Sequence, residues 1–247
     1  MTLVKICGLR DPETAVAAAK AGADFIGLVF AESKRRVTPQ QCYDIIEALN
    51  AERRTPPPAE FQAPVVGEVR GLNWFGAWSE ALDQAIARWR PLIVGVFAGM
   101  KADEVNDIAV TARVEIVQLS GGESRDFARK ITHPVIRAVH VGHETTAEDV
   151  LDTIAEVPAA GILLDTGSTV ALGGTGETFD WEVAAGVSRR VPITLAGGLT
   201  PENVAAAVTQ VEPWAVDVST GVETGGTKDI DKIRAFIRAA KGVRVGR

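Results

Sequence analysis

The feature that most constrains the fold is a regular alternation between two kinds of segment. Short apolar runs rich in β-branched residues are each followed by an amphipathic stretch, as in βα units that build a parallel sheet. Eight such units in 247 residues predict an α/β protein, a single-domain (β/α)₈ TIM barrel over residues 1–247, with a doubly wound open sheet as the weaker alternative. The predicted strands are Leu3–Cys7, Phe25–Phe30, Leu92–Phe97, Glu115–Leu119, Val135–Ala138, Gly161–Leu164, Ile193–Ala196 and Ala215–Val218.

Helix start and stop signals fall between the predicted strands. Asp11 is a suitable N-cap, Pro12 occupies the first helical position and Gly22 follows the end of the helix pattern. Thr38-Pro39 and Thr200-Pro201 repeat the entry signal. These signals support one helix after each strand.

Residues 50–90 are longer than a minimal connection between the second helix and the third strand. We interpret them as an insertion that starts on the face of the barrel opposite the chemistry, because it leaves a helix C-terminus and enters a strand N-terminus. Ser79 could cap a helix running to Trp89, and Trp74, Trp78 and Trp89 would cover apolar surface. Extra packing or an outside loop is favoured over a functional lid.

Composition excludes several classes of function. A net charge of −6 argues against nucleic acid as a partner. The sequence shows neither a leader pattern nor a long uncharged apolar run, so we expect a cytoplasmic protein with no membrane contact. The two cysteines, Cys7 and Cys42, lack metal-ligand spacing, so neither a disulfide nor a metal site is expected. Whether the protein is a monomer or a homo-oligomer stays open.

Cys7 is the first candidate functional residue, since barrel enzymes place their chemistry at the C-terminal ends of the strands. A lone cysteine is ordinarily a small buried hydrophobe, which is our interpretation of Cys42 on its helix pattern. At Cys7 the position matters more, because strand alternation puts it on the same face as Lys5. A lysine inside a barrel needs a polar partner, which Gln118 could supply.

Asp165 is the second candidate, because it follows the apolar run Ile162-Leu163-Leu164. The alternative role is an N-cap, but the next helix signal, Asp180-Trp181, lies well downstream. Partial desolvation there would raise the pKa of a carboxyl group and let it act as a general acid.

Two Gly/Ser-rich loops follow the seventh and eighth strands, where barrels commonly bind phosphate through backbone N–H groups. They contain Gly197-Gly198 and Ser219-Thr220-Gly221. Either loop alone could be a mere turn, but the two together favour a phosphate site.

Several runs, in order along the chain, resemble those of the phosphoribosylanthranilate isomerases of tryptophan biosynthesis. The resemblance covers nearly all of the chain except residues 50–90 and implies an Amadori rearrangement of N-(5-phosphoribosyl)anthranilate, a small phosphorylated substrate, with no cofactor. The matching runs are Val4-Lys5-Ile6-Cys7-Gly8-Leu9, Gly22-Ala23-Asp24-Phe25-Ile26-Gly27, Val94-Gly95-Val96-Phe97, Val117-Gln118-Leu119, Leu163-Leu164-Asp165-Thr166, Gly173-Gly174-Thr175-Gly176-Glu177-Thr178-Phe179-Asp180-Trp181, Ala196-Gly197-Gly198-Leu199, Pro201-Glu202-Asn203-Val204 and Val216-Asp217-Val218-Ser219-Thr220-Gly221-Val222-Glu223.

The resemblance implies that Cys7 is the general base and Asp165 the general acid. A thiolate at Cys7 would need a nearby positive charge or dipole, which the sequence does not identify. Arg35 would bind the anthranilate carboxylate, with Arg36 as the rival because the loop is one residue shorter than the family pattern.

The resemblance also implies the remaining substrate contacts. Asp217 would hold the substrate, and the run containing Gly174 would close part of the site. The phosphate would be bound by Gly197, Gly198, Ser219 and Thr220.

One position departs from the family pattern: Ser120 stands where the family has histidine. This changes a binding contact and leaves the proposed acid and base in place. His133, His140 and His143 are interpreted as solvated or locally hydrogen-bonded residues.

Two other functions compete with the isomerase. Another phosphate-binding barrel, such as indole-glycerol-phosphate synthase or a pentose-phosphate epimerase, would require catalytic lysines or metal ligands. A non-catalytic barrel that binds a phosphorylated metabolite would not require both Cys7 and Asp165.

Overall fold

The eight predicted strands form one closed parallel barrel in the computed structural model, which describes residues 1–52, 71–142, 144–155, 159–165 and 181–243. Each strand pairs with the next along the chain, and the last pairs with the first. The (β/α)₈ prediction is confirmed, and the doubly wound sheet is excluded. The strands are β1 (Leu3–Cys7), β2 (Phe25–Val29), β3 (Leu92–Phe97), β4 (Ile116–Leu119), β5 (Val135–His140), β6 (Gly161–Asp165), β7 (Ile193–Ala196) and β8 (Ala215–Val218).

Helices connect the strands, and one short antiparallel ribbon follows β8. The helices are α1 (Pro12–Ala21), α2 (Pro39–Glu52), α3 (Asn73–Trp89), α4 (Ala102–Thr111), α5 (Arg125–Ala128), α6 (Ala147–Ala155), α7 (Trp181–Ser188), α8 (Val204–Val211) and α9 (Ile230–Gly242). The ribbon consists of β9 (Glu223–Thr224) and β10 (Thr227–Lys228). In the part of the chain that the structure describes, no helix has the length and apolarity to cross a membrane.

The predicted helix signals operate at the start of the chain. The side chain of Asp11 accepts a hydrogen bond from the Thr14 amide at 2.8 Å, and Pro12 begins α1. Gly22 ends the helix with φ of 105°, a left-handed conformation that favours glycine. The Thr200-Pro201 signal is displaced, since α8 begins only at Val204.

The inner faces of the strands divide the barrel into an apolar end and a polar end. Near the N-terminal ends of the strands, the interior is filled by buried residues such as Phe25, Leu92, Ile116 and Ala215. Outward-facing residues, among them Val4, pack against the surrounding helices in a separate cluster. The apolar end supplies stability, while the other end is left for chemistry.

Helix α3, which lies within residues 50–90, packs on the apolar end of the barrel. Trp78 and Leu82 are buried in the same cluster as the start of β2 and β3, and the indole N–H of Trp74 donates to the Ala159 carbonyl at 2.8 Å. The prediction that Trp74 and Trp78 cover apolar surface is confirmed. The predicted cap at Ser79 is wrong, because α3 starts six residues earlier and the Ser79 hydroxyl donates to the Gly76 carbonyl at 2.8 Å. Residues 53–70 lie outside the described ranges.

Candidate active site

The strand register places three of the candidate residues on the inner face of the barrel. Cys7 pairs with Gly27, Asp165 pairs with Ala196, and Asp217 pairs with Lys5. Cys7 and Asp165 are the last residues of β1 and β6. The predicted base and acid therefore lie at the same C-terminal end of the barrel, three strands apart around its rim.

Cys7 lies at the end of β1 in an enclosed position against β2 and β3. Its side chain packs with Val29 and Val96, and it is 7% exposed. The absence of a side chain at Gly27 makes room for the sulfur, because a Cβ there would lie 2.8 Å from Sγ. Burial raises the pKa of the Cys7 thiol, while the nearby charge of Lys5 acts to lower it. In the free site Cys7 is held as a thiol.

Lys5 is the buried cation beneath Cys7, two residues earlier on β1. Its Nζ lies 3.1 Å from Oδ1 of Asp217, and the lysine side chain is 2% exposed. Burial acts most strongly and lowers the pKa of Lys5, but the charges of Asp217 and Cys7 and the hydrogen bonds with them together outweigh burial and leave that pKa raised. The expectation that Gln118 is the partner of Lys5 is wrong: Gln118 donates through Nε2 to the Ser120 hydroxyl at 3.0 Å.

The last residues of β5 and β6 bring a histidine beside the candidate acid. His140 Nδ1 lies 4.0 Å from Oδ2 of Asp165, and both side chains are partly exposed to the mouth of the barrel. Sequence analysis gave His140 no site role because the predicted fifth strand stopped at Ala138. Strand alternation continued by two residues would have placed His140 on the inner face.

Cys42 is buried like Cys7, but the charge that acts on it is the carboxylate of Glu115 rather than a lysine. It lies on α2 with no exposed surface, and its Sγ donates to the Ala112 carbonyl at 3.3 Å. Burial raises its pKa to about 12. The prediction that Cys42 is a buried core residue is confirmed.

The two candidate arginines after β2 have different environments. Arg35 Nε and Nη2 donate to the two carboxylate oxygens of Glu223 at 2.7 and 2.9 Å. Its stem passes over Gly8, where a Cβ would lie 2.5 Å from Arg35 Cδ. Arg36 instead pairs with Glu32 at 3.0 Å, and its side chain is 53% exposed. Arg35 is therefore the arginine held close to Cys7.

The two predicted phosphate loops are in contact with each other. Gly197 and Gly198 have φ of 89° and 62°, so the backbone after β7 adopts left-handed conformations. A Cβ at Gly221 would overlap the Leu199 carbonyl, so a glycine is needed where the loop after β8 crosses the loop after β7. Ser219 is held by Lys228, whose Nζ donates to the Ser219 carbonyl at 2.8 Å.

Of the remaining candidate residues, the structure describes Ser120 and Thr220 but not Gly174. The Ser120 backbone N–H donates to the Phe97 carbonyl at 2.9 Å, which fixes this residue just beyond β4. Thr220 is exposed in a short 3₁₀ turn after β8. Gly174 and His143 lie outside the described residues. Within the described ranges, no group of three acidic, histidine or cysteine side chains is arranged to hold a metal ion.

Sequence analysis missed two charged residues that contact this site. Glu223 is the last residue of a run that resembles the family but was given no role, and Lys228 was not singled out. Lys228 Nζ donates to Glu223 Oε1 at 3.0 Å, and both side chains are 7% exposed. The sequence does carry one signal, Gly225-Gly226, which is typical of a two-residue hairpin turn and would have paired these residues.

Comparison with known proteins identifies relatives of this chain. Residues 77–239 match the family model of N-(5'-phosphoribosyl)anthranilate isomerase. An N-(5'-phosphoribosyl)anthranilate isomerase of Dehalococcoides mccartyi is 40% identical over 246 residues, covering 98% of this chain and 96% of the relative. A multifunctional tryptophan biosynthesis protein of Phycomyces blakesleeanus is 39% identical over 98% of this chain, which spans only 33% of that longer protein.

A solved structure adds information about a ligand. It is a phosphoribosyl anthranilate isomerase in complex with reduced 1-(o-carboxyphenylamino)-1-deoxyribulose 5-phosphate. It is 32% identical to this chain with a TM-score of 0.70, and the match covers 98% of this chain and all of the other.

Proposed function

The chain belongs to the family of N-(5'-phosphoribosyl)anthranilate isomerases of tryptophan biosynthesis, and we propose that Cys7 is its general base and Asp165 its general acid. The reaction is an Amadori rearrangement of the aminoaldose to the aminoketose. The observation that carries the assignment is the position of both residues at the C-terminal ends of their strands, on the inner face of one rim.

Asp165 would start the reaction by protonating the oxygen of the furanose ring. The bond from C1 to that oxygen breaks, its electron pair stays with the oxygen, and the nitrogen lone pair forms an iminium at C1. The partly exposed position of Asp165 at the end of β6 supports this role, because the acid must reach a substrate that enters from the mouth.

Cys7 would then remove the proton from C2 as a thiolate. The released electron pair forms a double bond between C1 and C2 and returns the nitrogen to a neutral amine. The resulting enolamine becomes the ketone when the C2 hydroxyl loses its proton and C1 gains one. The Lys5 charge favours the thiolate and supports this role, because it is a cation close to the Cys7 sulfur.

Arg35 would bind the anthranilate carboxylate, since it is held over Gly8 next to Cys7 while Arg36 points into solvent. The phosphate would bind to the two contacting loops after β7 and β8, which contain Gly197, Gly198, Ser219 and Thr220. The conformations of these loops suit backbone N–H donation to an anion. Asp217, Gly174 and Ser120 complete the proposed set of substrate contacts.

The proposal extends to the organisation of the chain. We assign residues 1–247 to one barrel domain with residues 50–90 as an insertion within it. We place the enzyme in the cytoplasm, where free thiols such as Cys7 stay reduced.

Cys7→Ala and Asp165→Asn test the acid and base assignment. Each variant should lose at least about a hundredfold in kcat, the usual contribution of a positioned proton-transfer group, and should still bind a reduced product analogue. Steady-state kinetics and binding titrations measure the two effects. A variant that keeps more than about a tenth of wild-type turnover, equivalent to only ~1.4 kcal/mol of barrier, would remove its residue from the mechanism. Turnover should also be unaffected by a chelator, and inhibition by a chelator would indicate a required metal ion.

A further inference from the structure

The loops after β2 and β8 are joined by a charged cluster that the acid and base chemistry does not use. We propose that Glu223 is a positioning residue that fixes Arg35, so that one edge of the guanidinium is presented to the substrate carboxylate. The inference rests on the proposed role of Arg35 as the carboxylate ligand and adds to it the residue that sets the orientation of that arginine.

The geometry of the pair determines which part of Arg35 is available. Glu223 takes the side-on edge, because its two oxygens accept from Nε and Nη2 at 2.7 and 2.9 Å. A guanidinium has five N–H donors in one plane, so the end-on edge formed by Nη1 and the second N–H of Nη2 can receive another carboxylate in bidentate fashion. One arginine can thus bind a protein carboxylate and a substrate carboxylate together.

The position of Glu223 is itself fixed by a hairpin. Gly225 and Gly226 have φ of 60° and 82°, as a two-residue turn with two left-handed positions requires. The turn places Glu223 of β9 opposite Lys228 of β10, and Lys228 donates to Glu223 Oε1 at 3.0 Å. The backbone of this ribbon therefore determines where Arg35 is held.

The charge of the cluster suits an anionic ligand. Arg35 and Lys228 are two cations around one carboxylate, which leaves the cluster net positive. Lys228 also donates to the carbonyl of Ser219, one of the proposed phosphate residues, so Glu223 links the carboxylate end of the site to the phosphate loop. Since long charged side chains lose rotamer freedom on binding, holding Arg35 beforehand lowers the entropic cost of substrate binding.

A competing role for Glu223 predicts the opposite effect. Glu223 could occupy Arg35 in place of the substrate carboxylate, which would have to displace it. Burial alone would raise the pKa of Glu223, but the hydrogen bonds from Arg35 and Lys228 hold it at about 2, so protonation does not release Arg35 near neutral pH. The sign of the change in KM decides between positioning and competition.

Glu223→Gln provides the first test. The amide keeps the shape but has only one oxygen, so it can accept from only one of the two Arg35 N–H groups, Nε or Nη2; KM should therefore rise about tenfold while kcat changes by less than about threefold. The matched control is Glu32→Gln, which removes the carboxylate from Arg36, the neighbouring arginine in the same loop, and should leave KM unchanged. A decrease of KM in Glu223→Gln would establish competition and overturn the proposal. Glu223→Asp replaces Glu223→Gln if the latter does not fold.

A double-mutant cycle with Arg35→Ala separates positioning from any other effect of Glu223. If Glu223 acts through Arg35, the Arg35→Ala/Glu223→Gln double variant should have the same KM as Arg35→Ala alone. If the fold-increase in KM of the double variant equals the product of the increases in the two single variants, Glu223 acts independently of Arg35. The proposal would then be overturned while the role of Arg35 stands. An Arg35→Ala variant with wild-type KM would overturn the carboxylate assignment itself, so the two failures are distinguishable.

Discussion

Replacing Leu82 by alanine should destabilise the protein strongly without changing its chemistry. Leu82 has no exposed surface and packs with Trp78 and Leu92 at the apolar end of the barrel, away from Cys7 and Asp165. Truncation of a fully buried leucine removes its transfer free energy and leaves a cavity, which together cost about 3 kcal/mol. In a domain of this size, each kcal/mol of lost stability lowers Tm by ~2–4 °C, so the Tm of the variant should be lower by about 6–12 °C.

Equilibrium unfolding and steady-state kinetics together measure this effect. Thermal and urea unfolding followed by circular dichroism give the loss of stability, and kcat/KM at a temperature where both proteins are folded gives the effect on function. Gln84→Ala is the matched control, because Gln84 is exposed on the same helix and its loss should change the free energy of unfolding by no more than ~0.5 kcal/mol.

Two outcomes would refute this interpretation of α3. A Tm within about 1 °C of the wild type would show that the helix contributes little to stability, against the burial of Leu82. A decrease in kcat/KM of more than about tenfold in the folded variant would show that α3 influences the active site, as a lid or a coupled element would.

Three further predictions concern the active site. Burial raises the pKa of Cys7 and the thiolate is the proposed base, so kcat/KM should increase with pH and should do so at higher pH than for an unperturbed thiol. Lys5→Met removes the cation that favours the thiolate, so this increase, and alkylation of Cys7 by iodoacetamide, should both move to still higher pH. Ser120→Ala should lower kcat/KM by about tenfold or less, the value of one neutral hydrogen bond, and a loss as large as that of Cys7→Ala would give Ser120 a catalytic role. Arg35→Ala should raise KM about tenfold or more while Arg36→Ala leaves it unchanged, and the reverse result in substrate titrations would exchange their roles.

The fold was predictable because each strand carries its own local signal. The strands β1, β3, β7 and β8 have the predicted limits, and the others differ by one or two residues. Two of the four differences, at His140 and Asp165, fall where a strand ends in a polar residue, since apolar periodicity cannot mark a strand end that serves the site. The other two are one-residue shifts, because β2 ends at Val29 and β4 begins at Ile116.

Contacts between distant parts of the chain were harder to predict. The partner of Lys5 is Asp217 rather than Gln118, because closure of the barrel makes β1 and β8 neighbours in a register that places these two residues side by side. Closure was predicted, but register across the closing pair was not, because it depends on the stagger of all eight strands. The contact between Arg35 and Glu223 spans 188 positions and had no local signal on the arginine side.

The Lys5–Asp217 pair explains how one barrel can combine a dry interior with a charged site. A single charge at this depth would be strongly unfavourable, whereas two opposite charges 3.1 Å apart compensate part of the desolvation. The pair lies between the apolar end covered by α3 and the mouth at Cys7, so it separates the part that stabilises the fold from the part that reacts. When Cys7 ionises, Lys5 faces an anion on either side, and Asp217 competes with the thiolate for the same ammonium group. The thiolate is therefore stabilised only in part, so that the proposed base would be protonated at rest and strongly basic once ionised, as removal of a proton from carbon requires.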